Sequence, residues 1–305
     1  MMTETRSAPA KLNLTLRVVG RRPDGYHLLD SLVAFTEYGD TLTAEEAPDG
    51  LSLTVEGPFG AVLAASTKEA TSGGGGDNLV IRAARRLAEE AGVPPRAHLS
   101  LVKRLPVASG IGGGSSDAAA ALLALADLWQ LKPAAEDLAR LALDLGADVP
   151  VCLHQRTARL QGVGERIGRA PGLPAVPILL VNPGVGLSTP AVFREYARQT
   201  MGTFPAEISD GALYEARIDS AAGLAEALAT QGNDLTRAAI PLLPVIETVL
   251  STLNQSEGRL IARMSGSGAT CFALYADMAA AEHAEAALKA AHPDWWVVAT
   301  RLRAD

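Results

Sequence analysis

The sequence predicts an α+β protein built of two domains. Three observations carry that expectation. The chain has 305 residues with 48% hydrophobic and 20% charged composition, long enough for two cores. Period-two and period-3.6 apolar patterns alternate along its first half. A strand–helix–strand run closes the chain. The boundary falls near residue 158, giving domains of 1–158 and 159–305.

Each element has a local reason. Lys11 to Val18 alternates, with Leu12, Leu14, Leu16 and Val18 on one face and Lys11, Asn13, Thr15 and Arg17 on the other, the pattern of a half-buried strand. Gly73 to Gly76 reads as a surface loop. Asp77 or Asn78 is placed to cap a helix through about Ala91, with Leu79, Ala83 and Leu87 as its apolar stripe and Gly92 as its stop. A strand, Ala97 to Val102, leads through Lys103 and Arg104 into a glycine-rich segment. Helices follow from Asp117 to about Trp129 and from Pro133 to Gly146. The second half opens on a hairpin over Arg159 to Ile167, with Gly162 and Gly164 at its turn, and continues with a strand at Val176 to Val181. Thr189 occupies an N-cap position with Pro190 at the first helical position. Strand Thr270 to Tyr275, helix Met278 to Ala291 and strand Trp295 to Thr300 form a βαβ-like unit.

Composition narrows the function. No run approaches the roughly 20 apolar residues of a membrane span, and Met1 to Asn13 lacks the apolar core of a secretory signal, so a cytoplasmic protein without membrane contact is expected. Cys152 and Cys271 stand apart, without metal or disulfide spacing, and read as small buried hydrophobes. The net charge of −7 argues against a nucleic-acid surface. A small anionic ligand needs only a few local cations and stays allowed; the protein is expected to be a monomer or homodimer.

The glycine-rich segment carries the first functional signal. Pro106 to Asp117 joins a strand to a helix and holds four glycines within positions 110–114. Such density costs backbone entropy and is justified by unusual backbone angles or close approach of a ligand. A helix N-terminus offers unpaired amides and about half a positive charge, which suits a phosphate. Ser115 and Ser116 add hydroxyls there. A Walker A loop is excluded because no lysine lies between Gly110 and Ala121, and a dinucleotide fingerprint from Gly110 would need Gly or Ala where Ser115 stands. A flexible linker is the alternative, against which helical periodicity begins directly after the glycines.

Pro106 to Ala118, the run Pro9-Ala10-Lys11-Leu12-Asn13-Leu14 and the run Ser265-Gly266-Ser267-Gly268-Ala269 together resemble the three motifs of the GHMP kinases. Lys11 to Leu16, Gly20, Arg22 to His27 and Gly146 to Pro150 are similar to the branch acting on 4-diphosphocytidyl-2-C-methyl-D-erythritol. The likeness spans most of the chain and is weakest over 47–71 and 199–232. It implies a ribosomal protein S5 domain 2-like N-terminal domain and a ferredoxin-like α/β C-terminal domain. The implied activity is ATP-dependent phosphorylation of that substrate's 2-hydroxyl in non-mevalonate isoprenoid precursor biosynthesis.

The resemblance also distributes roles. Asp148, which alone would be a cap or turn aspartate, becomes the general base, and Lys11, alone a strand-end lysine, its partner. Asn13 shares the Lys11 face and meets the substrate. Tyr26 and His27 suit a pyrimidine, the ring of one stacking and the segment of the other reading a polar edge. Phe193 closes the pyrimidine's other side and Thr189 approaches from its helix start, where each could otherwise be core or cap. ATP lies near Asn78, Leu79 and Lys103, above Pro106, with its phosphates along Gly110, Gly112, Gly113, Gly114, Ser115 and Ser116. Mg²⁺ is implied as the counter-charge of ATP, without assigned protein ligands. Asp117, absent from many relatives' motif, is expected to turn away from the phosphates. Ser265 to Ala269 is expected to buttress the glycine segment by close backbone packing. Asn233-Asp234-Leu235 matches a family run with no physical account from sequence alone. Two other functions compete: a GHMP kinase for another small alcohol, and a non-catalytic nucleotide sensor, against which the presence of both Lys11 and Asp148 argues.

Overall fold

Residues 2–65, 78–201, 203–204 and 211–305 are described by a computed structural model. The Gly73 to Gly76 run and Asp77 lie outside the described residues. The first-half elements used below are β1 (Thr3–Asn13), β2 (Arg17–Arg21), β3 (His27–Glu45), β4 (Leu51–Glu56), α1 (Leu79–Ala91), β5 (Ala97–Val102), α2 (Gly113–Leu128), α3 (Ala135–Leu145) and α4 (Val149–His154). The second half adds β6 (Ala158–Gly162), β7 (Arg166–Gly168), β8 (Pro177–Asn182), α5 (Thr189–Thr200), α6 (Gly211–Glu215), α7 (Ala221–Leu228), α8 (Thr236–Leu242), α9 (Val245–Gln255), β9 (Arg259–Met264), β10 (Cys271–Tyr275), α10 (Met278–Ala291) and β11 (Trp296–Arg301).

These elements group into two units. The first comprises residues 1–10, 39–107 and 112–155, the second residues 11–38, 108–111 and 156–305. The backbone therefore passes between units five times, and the cut near 158 read from the sequence neighbours only the last passage, at 155/156.

In the first unit β4 pairs parallel with β5, and β5 pairs antiparallel with Thr41–Glu45 of β3. Helix α2 packs against α1 and α4 and buries every residue from Ser116 to Leu122, as its alanine- and leucine-rich composition requires of a central helix. Helix α1 buries Val80, Ala83, Ala84, Leu87 and Ala88. The Asn78 carboxamide oxygen accepts from the Val80 amide at 2.8 Å and Gly92 ends the helix at φ 64°, so α1 has the cap and stop expected of it. Helix α2, by contrast, begins at Gly113 and not at Asp117. First-turn amides have no intrahelical partner anyway, so glycine's weakness as a helix former matters least there, and Gly112 at φ 64° supplies the left-handed entry.

The second unit corrects the first predicted strand. Instead of running unbroken from Lys11 to Val18, β1 ends at Asn13, Leu16 makes an isolated bridge to Asn233, and β2 starts at Arg17. Its polar face is not half-exposed either: Lys11, Asn13 and Thr15 are 3%, 6% and 1% accessible. The cause is local partners, because Thr15 Oγ1 accepts from the Leu32 amide at 2.9 Å and the Lys11 amide donates to Ile111 O at 2.9 Å. Beyond this, β2 and β6 each pair antiparallel with the first part of β3, and the β6–β7 hairpin turns at Gly162 (φ 73°) and Gly164 (φ 113°).

A four-stranded sheet in the order β11-β8-β10-β9 forms the rest. Both β10 and β11 pair antiparallel with β8, so the terminal strand–helix–strand unit is a split βαβ with β8 inserted between its parallel strands. Leu179, Val181, Val192, Ile246, Val249, Cys271, Ala273, Leu288 and Val297 make its core, with Leu16 and Val18. The N-cap position of α5 falls one residue earlier than expected, at Ser188, whose side chain makes no capping bond; Thr189 is already helical and its hydroxyl lies 2.7 Å from Ser267 Oγ. Cys152 and Cys271 are buried and form no disulfide. No described helix is long and apolar enough to cross a membrane.

Candidate active site

In the first unit the predicted nucleotide residues gather around the start of α2. Leu79 Cδ1 lies 3.6 Å from where a Cβ on Gly114 would stand, and Lys103 Nζ lies 3.0 Å from the equivalent point on Gly113. The Gly113, Gly114 and Ser115 amides are first-turn donors of the helix, and Gly114 is exposed. Pro106 is buried in the loop that leads to them.

Two residues expected to meet the nucleotide are turned elsewhere. Ser116 is fully buried, its hydroxyl donates to Pro9 O at 2.7 Å and its amide to Gly112 O at 2.9 Å, so it braces the helix start instead of presenting an oxygen to a ligand. Lys103 donates to Asp40 Oδ2 at 2.5 Å and Asp117 Oδ2 at 2.7 Å, with all three side chains buried. Asp40 accepts two further bonds, from the Arg104 and Leu105 amides at 2.5 and 2.8 Å, while Asp117 Oδ1 has no partner. The Asp117 carboxylate is directed to Lys103.

That triad holds two carboxylates and one ammonium, and its electrostatics follow from the imbalance. Burial pushes the Asp117 carboxyl up to about 7, with Lys103 opposing the rise and Asp40 adding to it. Burial also works against the Lys103 ammonium, but Asp117 and Asp40 outweigh it and raise its pKa above the ordinary lysine value. The two shifts are compatible: Lys103 stays charged, Asp40 keeps the better donors, and Asp117 is the surplus acid. Asp148 lies at the N-cap of α4, part-exposed, and its side chain makes no capping bond, so helix capping does not account for it.

In the second unit Tyr26, His27, Thr189 and Phe193 come together. With Arg21, Asp24, Gly25, Pro190, Arg194 and Ala197 they line a pocket of about 740 Å³. Tyr26 is 65% exposed, free to cover a ligand. The His27 ring is buried and stacks on Phe193 with centroids 5.0 Å apart and planes at 22°. Burial first, then Arg21, lower the His27 pKa, so the ring is neutral at pH 7, and its buried Nε2 is unpartnered. Asn13 is held at both ends: its amide donates to Ser265 Oγ at 3.1 Å and its Nδ2 to Ser31 Oγ at 2.7 Å, and the Ser31 hydroxyl passes its own proton toward Thr15 O at 2.5 Å. Lys11 lies two residues before it, buried, on the same strand.

The motif around Ser265 meets the glycine segment directly. A Cβ on Gly110, which sits at φ 75°, would lie 2.6 Å from Gly268 O and 2.8 Å from Ser265 O. Ser265 Oγ donates to Gly110 O at 3.1 Å, and the Thr270 amide to Ser109 O at 3.1 Å.

Family models match both halves of the chain: residues 78–156 match the GHMP kinases N terminal domain and residues 212–294 the GHMP kinases C terminal. The chain belongs to the GHMP kinases. Curated relatives named 4-diphosphocytidyl-2-C-methyl-D-erythritol kinase include one from Parvibaculum lavamentivorans, 51% identical and covering 96% of each chain, and one from Paramagnetospirillum magneticum, 52% identical and covering 97% of each. A crystal structure of a 4-(cytidine 5'-diphospho)-2C-methyl-D-erythritol kinase aligns with TM-score 0.78 at 35% identity over 99% of this chain and 100% of its own. Homoserine kinase from Cytophaga hutchinsonii, 18% identical with TM-score 0.69 over 99% of this chain and 95% of its own, shares the fold.

Sequence reasoning left one run of this GHMP kinase unexplained and missed one residue. Asn233 Nδ2 donates to Met264 O and Gly266 O, both at 2.8 Å, its Oδ1 accepts from the Leu235 amide at 2.9 Å, and Asp234 Oδ2 accepts from the Val18 amide at 2.8 Å. The Asn233-Asp234-Leu235 run is thus a clip joining the Ser265 loop to β2. Ser31, which fixes the Asn13 carboxamide, carries no signal in its own neighbourhood of sequence. Only its β3 position, four residues after the buried His27, could have drawn attention.

Proposed function

We propose that this kinase transfers the γ-phosphoryl group of ATP to the 2-hydroxyl of 4-diphosphocytidyl-2-C-methyl-D-erythritol. The observation that carries the reading is the pocket where Tyr26, His27, Thr189 and Phe193 converge, in a chain about half identical to full-length relatives bearing that enzyme's name. A planar base fits between the exposed Tyr26 ring and the Phe193 side. Because the His27 ring is taken up by stacking on Phe193, the base's polar edge falls to the backbone of the Tyr26–His27 segment.

In this reading Asp148 takes the proton of the acceptor hydroxyl and Lys11 stabilises the negative charge that grows on its oxygen. Asn13, its carboxamide fixed by Ser31, orients the acceptor. The phosphates rest on the first-turn amides of α2, with Asn78, Leu79 and the stem and backbone of Lys103 on the nucleotide side. Gly110 contributes backbone held by the Ser265 loop. Mg²⁺ accompanies ATP and neutralises phosphate charge when bound. Among the described residues no cluster of three or more His, Cys, Asp or Glu side chains could hold a metal, and the Ser116 hydroxyl is engaged by Pro9, so no protein ligand is assigned. The reaction belongs in the cytoplasm, with a small-molecule substrate and no nucleic acid.

The test is direct. Purified protein with the cytidyl substrate, ATP and Mg²⁺ should yield ADP and the 2-phosphate in equal amounts. Turnover of homoserine or mevalonate with none of the cytidyl substrate would overturn the assignment.

A further inference from the structure

The wall of the pyrimidine pocket carries charge that a base alone does not need. Arg21 and Arg194 both line it and both are exposed. Neither has an acidic partner among the described residues: Arg21 Nε donates to Gly25 O at 3.1 Å, which leaves its terminal nitrogens, and Arg194 makes no ion pair. The one carboxylate in the lining, Asp24, is already met by Arg22 at 2.7 Å. His27 adds no charge at neutral pH because burial and Arg21 lower its pKa. A chain with a net charge of −7 therefore keeps two unneutralised guanidinium groups at the mouth of one pocket. Like charges left together repel, and a planar guanidinium fork matches phosphate oxygens in pairs.

We propose that Arg21 and Arg194 form the subsite for the diphosphate of a nucleoside-diphosphate ligand and determine specificity by reading its charge. The inference rests on the pyrimidine reading of the pocket and adds to it the residues that distinguish a nucleotide from a nucleoside. Tyr26 and Phe193 hold the base, and the two arginines hold the linkage that follows it.

Binding of cytidine, CMP and CDP, measured by calorimetry on the full-length protein, separates the two readings. Cytidine binding tests the pocket; the increment from cytidine to CDP tests the arginines. The wild type should bind CDP roughly tenfold or more tighter than cytidine, with CMP between them and the gap shrinking as salt rises. Arg194→Gln is the clean probe, since it removes no hydrogen bond among the described residues. It should narrow the gap about threefold or more with cytidine affinity unchanged, which also reports an intact fold; Arg21→Gln combined with it should nearly close the gap. An unchanged gap in the double variant overturns the proposal, as does equal affinity of the wild type for cytidine and CDP. Inorganic pyrophosphate binding as tightly as CDP would place the anion away from the base and overturn it too. If cytidine and CDP both fail to bind, the pyrimidine reading itself falls and the subsite with it.

Discussion

Asp148 stands at the N-cap of α4 without a side-chain capping bond, and in the proposed reading it is the base. Asp148→Asn keeps the shape and removes the base, so kcat should fall at least about 10²-fold while ATP still binds. Near-normal turnover in that variant would remove Asp148 from the reaction. Ser31 acts one step back, through the Asn13 carboxamide it holds at 2.7 Å. Ser31→Ala should raise KM for the acceptor several-fold, on the order of one lost hydrogen bond, with KM for ATP unmoved, and Ser31→Thr should restore most of it. Equal rises in both constants would indicate general damage. Tyr26, His27, Asn13 and Asp148 stand out as candidates because their motifs are contiguous in sequence. Ser31 does not, because its contact with Asn13 exists only once β3 lies beside β1.

At the scale of elements, legibility followed locality. Helix α1, strand β5 and helix α10 lie where periodicity and glycine punctuation put them, since cap, stripe and stop are all within one short window. The polar face of the Lys11–Thr15 run was misjudged because its burial depends on Ser31, Leu32 and Ile111, and alternation alone cannot distinguish polar groups met by protein from polar groups met by water. The Lys103 triad is illegible in sequence for the same reason, its two carboxylates lying 63 and 14 residues away. Removing that ammonium should be severe: Lys103→Met leaves two buried carboxylates without a cation, and about 3–5 kcal/mol of stability should be lost in urea unfolding. The glycine segment makes a steric prediction of its own. Gly110→Ala forces a methyl to within 2.6 Å of Gly268 O at a positive φ, so it should destabilise by more than about 2 kcal/mol and weaken activity together. A variant as stable as the parent would show that the Ser265 loop yields easily.

For the whole molecule, the Lys103–Asp40–Asp117 triad sets a pH dependence of stability. Asp117 is raised from 3.8 to about 7, so the native state holds a proton that the unfolded chain has already released. The stability contributed by that proton is fully present below about pH 4 and lost as pH rises toward 7. Denaturation midpoints should therefore fall between pH 5 and pH 8, against which Asp117→Asn, with no proton to lose, should show a flatter slope and a higher midpoint than the parent at pH 8. A parallel slope in the variant would place the titrating group elsewhere. The division into units matters at this scale as well. The second unit draws residues from 11 to 305, and its β3 segment waits for β6 while Leu16 and Val18 wait for the β8–β10 core. On the ribosome, the stretch from Lys11 to Tyr38 emerges more than a hundred residues before Arg156–Asp305, with which it forms one unit. Folding of this unit must therefore wait for that later segment, and Leu16 and Val18 stay uncovered until it has been made.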